Sequence, residues 1–389
     1  MYVLRQASHQ TISFMAGVYF HIPFCKRICA YCDFYRSAEL KYMDSVIEAM
    51  HSELEEQSKY IRERVKNYDK LYLEFGGKLM PSLLPPRELQ HLIDHAAKLY
   101  DCSGVCEVTV EANPDDITAE YVKELRHTNI NRVSLGVQSF DDRELRFMNR
   151  RHTAEEASQA VKRLQDAGIG NITIDLIFGV DGFGEDVLER SIRAALSLGV
   201  QHISAYHLTI ECATAFYRRV QRGEMKEVDE ECSEREYAII EKRLCDAGYE
   251  HYEVSNYALK GFRSQHNSSY WSGAEYLGIG PGAHSFNGAE RHWSVQSLSD
   301  YALKREYESE ILTDKERYNE YVMTSLRRCE GVDTQYIKER FGMQQYDKVI
   351  SDAQRWIASG DLLPDGSRLK IPTSRFLVSD AVIESFFEV

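Results

Sequence analysis

The sequence predicts an α/β protein: a partial barrel of six β/α units, left open, followed by a C-terminal α+β region that includes a winged-helix-like module. Three observations predict it. Short runs rich in Val, Ile, Leu, Phe and Tyr begin near Val18, Leu71, Val108, Val133, Ile172 and Ile203. Polar stretches with helical spacing separate most of them, as around Leu54 and at Ala157, Val161 and Leu164. Alternation of this kind is the signal of βα units on a parallel sheet. The third observation is the count, because six units fit between residues 17 and 210, too few to close an eight-fold barrel.

Beyond Glu211 the rhythm changes. Tyr237, Ile240 and Leu244 share one face of a helix expected over Asp229 to Ala247, and a strand-like Tyr249 to Ser255 follows. Gly278-Ile279-Gly280-Pro281-Gly282 reads as a tight loop. From about Tyr318, helical patterns lead to Gly360-Asp361-Leu362-Leu363 and Arg368-Leu369-Lys370-Ile371, a β-ribbon on a helical module. The expected divisions are a poorly ordered extension over 1–14, the barrel over 15–215, a connecting α+β region over 216–310 and the winged-helix-like module over 311–389.

The 389 residues carry 47 Lys and Arg against 61 Asp and Glu, a formal charge of −14. Hydrophobic residues at 43% and charged residues at 28% are ordinary for a globular chain and exclude collagen-like or low-complexity readings. The acidic balance argues against nucleic acid as a partner, so packing or a lid is the expected role of the C-terminal module. No run of 18 apolar residues is present, so no transmembrane segment is expected. Ile12 to Phe20 lacks the basic flank and cleavage site of a secretory signal and reads as the first strand. The nine cysteines are an odd number in a long chain, which points to a reducing, cytoplasmic setting rather than a disulfide framework.

Cys25, Cys29 and Cys32 stand in a C-x3-C-x2-C arrangement directly after the first predicted strand. Thiolates suit Fe–S clusters, Zn(II) and Cu(I). Three thiolates on a four-iron cluster would leave one iron open for chemistry, whereas a structural zinc would need a fourth ligand such as His21. Cys102 and Cys106 have no third partner nearby, and Cys212, Cys232, Cys245 and Cys329 are expected to be small buried hydrophobes.

The flanking residues, His21-Ile22-Pro23-Phe24-Cys25 through Cys29-Ala30-Tyr31-Cys32-Asp33-Phe34, resemble the signature of the radical S-adenosylmethionine (SAM) superfamily. The resemblance is to the branch of oxygen-independent coproporphyrinogen III oxidase and the heme chaperones, and it extends from Ala16 through most of the chain. It is carried further by Glu111-Ala112-Asn113-Pro114, by Arg132 to Phe140, by Arg150 and His152, by Asp175 to Gly179 and by Ser204 to Thr214. It implies a 4Fe–4S cluster on Cys25, Cys29 and Cys32, with SAM contacted by Tyr19, Tyr31, Gly76, Gly77, Glu111, Gln138, Arg150 and Asp175. Independently of the family, most of these residues fall at or just beyond the C-terminal ends of predicted strands, where barrel sites are built. Glu111 and Asp175 can accept from ribose hydroxyls or an ammonium group, or else cap helices and bridge barrel arginines.

The pattern breaks where the family carries three glycines, Thr and Pro after the second strand. Here Gly76-Gly77-Lys78-Leu79-Met80-Pro81 stands, which puts SAM affinity in question. Val180-Asp181-Gly182 and Cys212-Ala213 replace Leu-Pro-Gly and Pro-Gly, which is expected to loosen those loops.

Two features resemble the chaperones rather than the oxidases: Asp33 and Phe34, instead of a further cysteine, follow Cys32, and only 24 residues precede Cys25. His266-Asn267-Ser268-Ser269-Tyr270-Trp271 resembles the H-N-x-x-Y-W motif of the chaperones and makes His266 the expected heme ligand, with His284 as its rival. The expected function is heme delivery to acceptor hemoproteins such as membrane respiratory enzymes, with heme as cargo, from the cytoplasm or the inner membrane face. A homodimer is also implied by the resemblance, and turnover is not required. The alternatives are a true coproporphyrinogen III oxidase and a zinc-stabilised winged-helix regulator.

Overall fold

The computed structural model describes residues 15–61, 70–76, 81–100 and 105–388. The expected disorder of residues 1–14, together with Gly77, Lys78, Leu79 and Cys102, lies outside these described residues. Each of the six apolar runs is a strand: β1 (Met15–His21), β2 (Lys70–Gly76), β3 (Glu107–Ala112), β4 (Arg132–Gln138), β5 (Ile172–Phe178) and β6 (His202–His207). They pair in parallel and in chain order. Parallel strands covered on both faces are nearly continuous apolar runs, which is why the sequence announces them.

The crossovers carry α1 (Met43–Glu56), α2 (Pro86–Leu99), α3 (Ala119–Leu125), α4 (Asp142–Phe147), α5 (Ala154–Asp166) and α6 (Glu185–Ser197). In α5 a capping box between Thr153 and Glu156 sets the start, and Ala157, Val161 and Leu164 are wholly buried. After β6 come α7 (Ala215–Gln221) and α8 (Glu230–Asp246), the latter capped by Asp229 and burying Tyr237, Ile240 and Leu244 as expected. Cys232 and Cys245 sit one residue off that buried face. Together with Cys212 and Cys329 they are exposed or half-buried, which corrects the expectation of buried packing residues.

The barrel stays open because its two edges are extended and never meet. Beside β6 run β8 (Asn256–Ala258) and then β7 (Glu250–Glu253), both antiparallel to their neighbours. Beside β1 runs β9 (Glu275–Ile279), in parallel, with Gly278 opposite Tyr19. The sheet continues antiparallel through β10 (His284–Phe286), β11 (Glu290–Ser294) and β12 (Tyr307–Ile311), for 12 strands in all. Gly278 and Ile279 are therefore strand, not loop. The glycine is needed because a Cβ at Gly278 would run into the His284 carbonyl.

Two short helices, α9 (Gln265–Trp271) and α10 (Leu298–Leu303), lie among these added strands. The C-terminal region holds α11 (Asp314–Leu326), α12 (Thr334–Phe341), α13 (Met343–Ser359) and α14 (Ser379–Glu384). A small sheet of β13 (Val332–Asp333), β14 (Leu363–Asp365) and β15 (Arg368–Lys370), with β15 in the middle, completes the winged-helix-like arrangement. It packs on the barrel: the Tyr237 hydroxyl donates to the Thr373 carbonyl at 3.1 Å, and Phe376 meets the His251 ring edge-on at 5.2 Å. Among the described residues no helix is long and apolar enough to cross a membrane.

Candidate metal centre and cofactor cavity

The cysteine loop leaves β1 through Ile22 and Phe24, both fully buried, and is pinned at its backbone. The Cys25 N–H donates to the Ser37 carbonyl at 2.9 Å, the Ala30 N–H to Met148 at 3.0 Å, and the Phe216 N–H to Ala30 at 2.9 Å. Asn149, at φ +60°, turns its amide to donate to the Ile28 carbonyl at 2.7 Å. Cys25 and Cys32 are buried and Cys29 half-buried. Burial, reinforced by Cys32 and Cys29, pushes the Cys25 thiol up to about 12, and burial also raises Cys32. Such thiols ionise when a cation compensates for the lost water, which is what a metal site provides. Among the described residues no three Cys, His, Asp or Glu side chains converge as a single ion requires. His21, the candidate fourth zinc ligand, has its Nδ1 within 3.0 Å of the Tyr19 hydroxyl. The donor set is thus three thiols around a loop, which suits a polynuclear cluster.

Beside the loop, over the C-terminal half of the sheet, lies a cavity of about 320 Å³, the size of a small-molecule site. One rule builds its wall. Along β3, β4, β5 and β6 the buried runs are broken only at Glu111, at Ser134 and Gly136, at Asp175, and at Tyr206 and His207, and all of these line the cavity. Cys29, Cys32, Tyr31, Gln138 and Arg150 join them. Tyr19 and Gly76 stand next to this wall. A Cβ on Gly76 would lie 3.1 Å from the Glu111 carboxyl carbon and 3.2 Å from the Tyr19 ring.

Arg150 is the hub of the arrangement. Its Nη1 donates to Cys29 Sγ at 3.1 Å, and its Nη2 donates to both Asn113 Oδ1 and the Gly136 carbonyl. Burial opposes its charge, but the acceptors gathered around it offset that cost and the guanidinium stays protonated. Gln138 ends β4 at φ +71°, in the left-handed region, where the register with β5 breaks. A non-glycine residue held there costs on the order of 1–3 kcal/mol, strain of a kind that clusters at ligand sites. Gly136 makes room for both side chains, since a Cβ on it would stand 2.9 Å from Gln138 Nε2 and 3.3 Å from Arg150 Nη2. The residue reading passed over Gly136 and Asn113 as individual site members. The available signal for Gly136 was a glycine inside an otherwise apolar strand.

The H-N-x-x-Y-W segment forms α9, whose start is held from the barrel. Ser264 accepts from the Asn267 N–H at 3.2 Å, and the buried Glu107 carboxylate accepts from the Gln265 and His266 N–H groups, both at 3.1 Å. His266 is 3% exposed, with its Nδ1 against the Glu74 carboxylate, Tyr19 stacked over it at 6.1 Å and Tyr270 edge-on at 4.6 Å. Burial pulls its imidazole down to about 3, so it is neutral at physiological pH. This histidine is enclosed, outside the lining of the cavity. His284, by contrast, is exposed and stacked on Trp293 at 5.4 Å.

Residues 19–195 match the Radical SAM superfamily. The chain is 33% identical over 376 residues to the heme chaperone HemW of Lactococcus lactis, covering 95% of this chain and 97% of that one. It is 34% identical over 337 residues to the heme chaperone HemW of Bacillus subtilis, covering 84% and 87%. Among solved structures, coproporphyrinogen III oxidase (HemN) of Escherichia coli superposes with a TM-score of 0.78 over 96% of this chain and 90% of its own, at 17% identity, which speaks to fold alone. With near full-length identity of this order and a six-stranded parallel sheet carrying the cysteine loop at its first strand, the chain belongs to the radical SAM superfamily, in the branch of the heme chaperone HemW proteins.

Proposed function

We propose that this protein is a heme chaperone, binding heme and handing it to acceptor hemoproteins from a fold that also holds a 4Fe–4S cluster and SAM. The observation that carries the reading is the 33% identity, over 95% of the chain, to the Lactococcus lactis heme chaperone. The superfamily implies the cluster and SAM, and the residues present fit both. Cys25, Cys29 and Cys32 would hold the cluster, and the adjoining cavity would hold SAM. Bound together, the two would supply one-electron reductive chemistry at the SAM sulfonium. The chain's own contribution is to place and to neutralise. Arg150 sets a positive charge against Cys29, Glu111 and Asp175 offer carboxylates to hydroxyl or ammonium groups, and Tyr31 and Tyr19 remain neutral because burial holds their phenols well above the usual range.

Two imidazoles are candidates for the heme iron. His266 is held neutral by burial beside the Glu74 carboxylate with Nε2 unpartnered, and His284 is exposed with one face on Trp293. Hemoproteins of the respiratory membrane, reached from its cytoplasmic side, are the proposed acceptors, and the chain is proposed to act as a homodimer.

Anaerobic reconstitution followed by two parallel assays tests the reading. A shifted Soret band on heme titration, with coproporphyrinogen left unconverted, is the expected result; conversion overturns it in favour of the oxidase, and zinc in place of iron and sulfide overturns both. Titration of His266→Ala and His284→Ala assigns the ligand to the variant whose Soret band no longer shifts. Size exclusion of the reconstituted chain tests the dimer.

A further inference from the structure

The two crossover helices on either side of β2 in the chain, α1 and α2, pack against each other and carry histidines at matched spacing. His51 and Glu55 stand one turn apart on α1, and His91 and His95 one turn apart on α2, so each pair lies on one face of its helix. The packing brings the two faces together. His51 Nδ1 lies 2.8 Å from His95 Nδ1, with the rings stacked at 5.1 Å. The other nitrogen of His95, Nε2, lies 3.2 Å from a Glu55 carboxylate oxygen, and His91 Nδ1 lies 3.4 Å from Glu88. Burial, and then the neighbouring His95 and His91, pull the His51 imidazole below its usual range, so it is neutral and able to act as a ligand at physiological pH. None of these residues belongs to the cysteine loop, to the lining of the cofactor cavity or to the H-N-x-x-Y-W segment.

Two neutral rings whose nitrogens face each other at 2.8 Å share a single proton, so one directs a lone pair at the other. An ion that takes the place of that proton finds two imidazole ligands already facing it, each ring keeping its own proton on Nε2. Zn–N bonds of about 2.0–2.1 Å in a tetrahedral site set ligand nitrogens about 3.3 Å apart, so the rings need to part by only about 0.5 Å. A carboxylate at the far nitrogen, as Glu55 is at that of His95, is the usual companion of a metal-bound histidine. Among the described residues no third donor converges on the pair as it stands. His91 and Glu88 are close enough to act on the charge of His51, and the His91 side chain, 61% exposed, is free to turn toward it. We propose that His51 and His95 form a site for a divalent cation of the Zn²⁺ class, completed by His91 or Glu88 and by water. The inference rests neither on heme nor on the cluster. Its consequence is mechanical. β2, which carries Glu74 and Gly76 and pairs with the strand that feeds the metal loop, lies between these helices in the chain, so an ion across them ties both ends of its unit together.

The test is equilibrium dialysis of Zn²⁺ against the tag-free, full-length chain with its cluster reconstituted, and in parallel against Cys25→Ser/Cys29→Ser/Cys32→Ser, whose metal loop has no thiols to take zinc. Both should bind one equivalent. His51→Gln or His95→Gln in either background should weaken that binding at least about ten-fold, with circular dichroism and iron content unchanged. Co²⁺ taken up by the triple-serine chain should show d–d bands without thiolate charge-transfer absorption, and His51→Gln should abolish them. Zinc should raise the urea midpoint of the triple-serine chain and leave that of its His51→Gln variant unmoved. Absence of a bound equivalent in both backgrounds overturns the proposal and leaves the two imidazoles a plain hydrogen-bonded pair. Zinc binding that survives both histidine substitutions overturns it as well. If no cluster assembles, the cluster reading falls, and zinc bound by the triple-serine chain and lost in His95→Gln still upholds this one.

Discussion

Replacing Arg150 by Lys keeps the charge and removes the fork, which separates the two things this residue does. The guanidinium reaches three acceptors on three different elements: Cys29 Sγ at 3.1 Å in the metal loop, Asn113 after β3, and the Gly136 carbonyl within β4. A lysine ammonium is a point charge with a shorter overall reach and cannot span the two sides of that fork. These residues line the cofactor cavity, but Arg150 and Asn113 are only 7% and 1% exposed, so water replaces the lost donors incompletely. Charge-assisted hydrogen bonds contribute about 1.5–3 kcal/mol each. If the ammonium satisfies one acceptor and strands the other two, the metal-free chain should lose roughly 3–5 kcal/mol. Urea unfolding followed by circular dichroism measures this directly. Iron content after reconstitution should fall as well, because Cys29 loses the donor that positions its sulfur. A loss below about 1 kcal/mol with normal iron loading would refute the reasoning, since the fork would then be incidental to both fold and site.

Three further predictions follow from single residues. Gly136→Ala places a methyl group 2.9 Å from Gln138 Nε2, so SAM affinity by titration calorimetry should fall about ten-fold with iron content unchanged. Ala213 sits at φ +69°, a left-handed conformation that suits glycine, so Ala213→Gly should raise stability by up to about 1 kcal/mol in the same urea assay. Glu53 is wholly buried among the Tyr301 and Tyr307 hydroxyls and the Gly280 N–H, and burial raises it from 4.5 to about 7. The folded chain then binds this proton more tightly than the unfolded one, a stabilisation of about 3 kcal/mol that is complete below pH 4.5 and lost as pH rises through about 7. Urea midpoints of Glu53→Gln should therefore fall less steeply between those pH values, and an unaltered slope would count against the assignment.

The six parallel strands were legible because covered parallel strands must be apolar along their whole length, and the metal loop because its three cysteines are local in the chain. What stayed hidden depends on partners far away in sequence. Glu275–Ile279 becomes a strand only because β1, more than 250 residues earlier, offers it an edge, and its glycine disguised it as a loop. The H-N-x-x-Y-W segment announces an imidazole among aromatics, but its burial is set by Glu107 at the foot of β3 and Glu74 on β2, which no local pattern connects to it. Residue type alone suggests core positions for Cys232 and Cys245, and the helix face that decides otherwise is a matter of one position.

The strand that feeds the metal loop is not at the rim of the sheet. β1 is gripped by β2 on one side and by β9 on the other, and its loop is tied to Ser37, Met148 and Phe216 by the main chain alone. None of these bonds involves a thiol. The path of the loop is therefore set in part by backbone bonds that do not depend on the thiols, and loss of a bound cluster to oxygen would leave those bonds in place. Iron and sulfide lost in that way would then find the same main-chain frame on return, so damage at the most reactive point of the molecule would be repairable within the lifetime of one polypeptide.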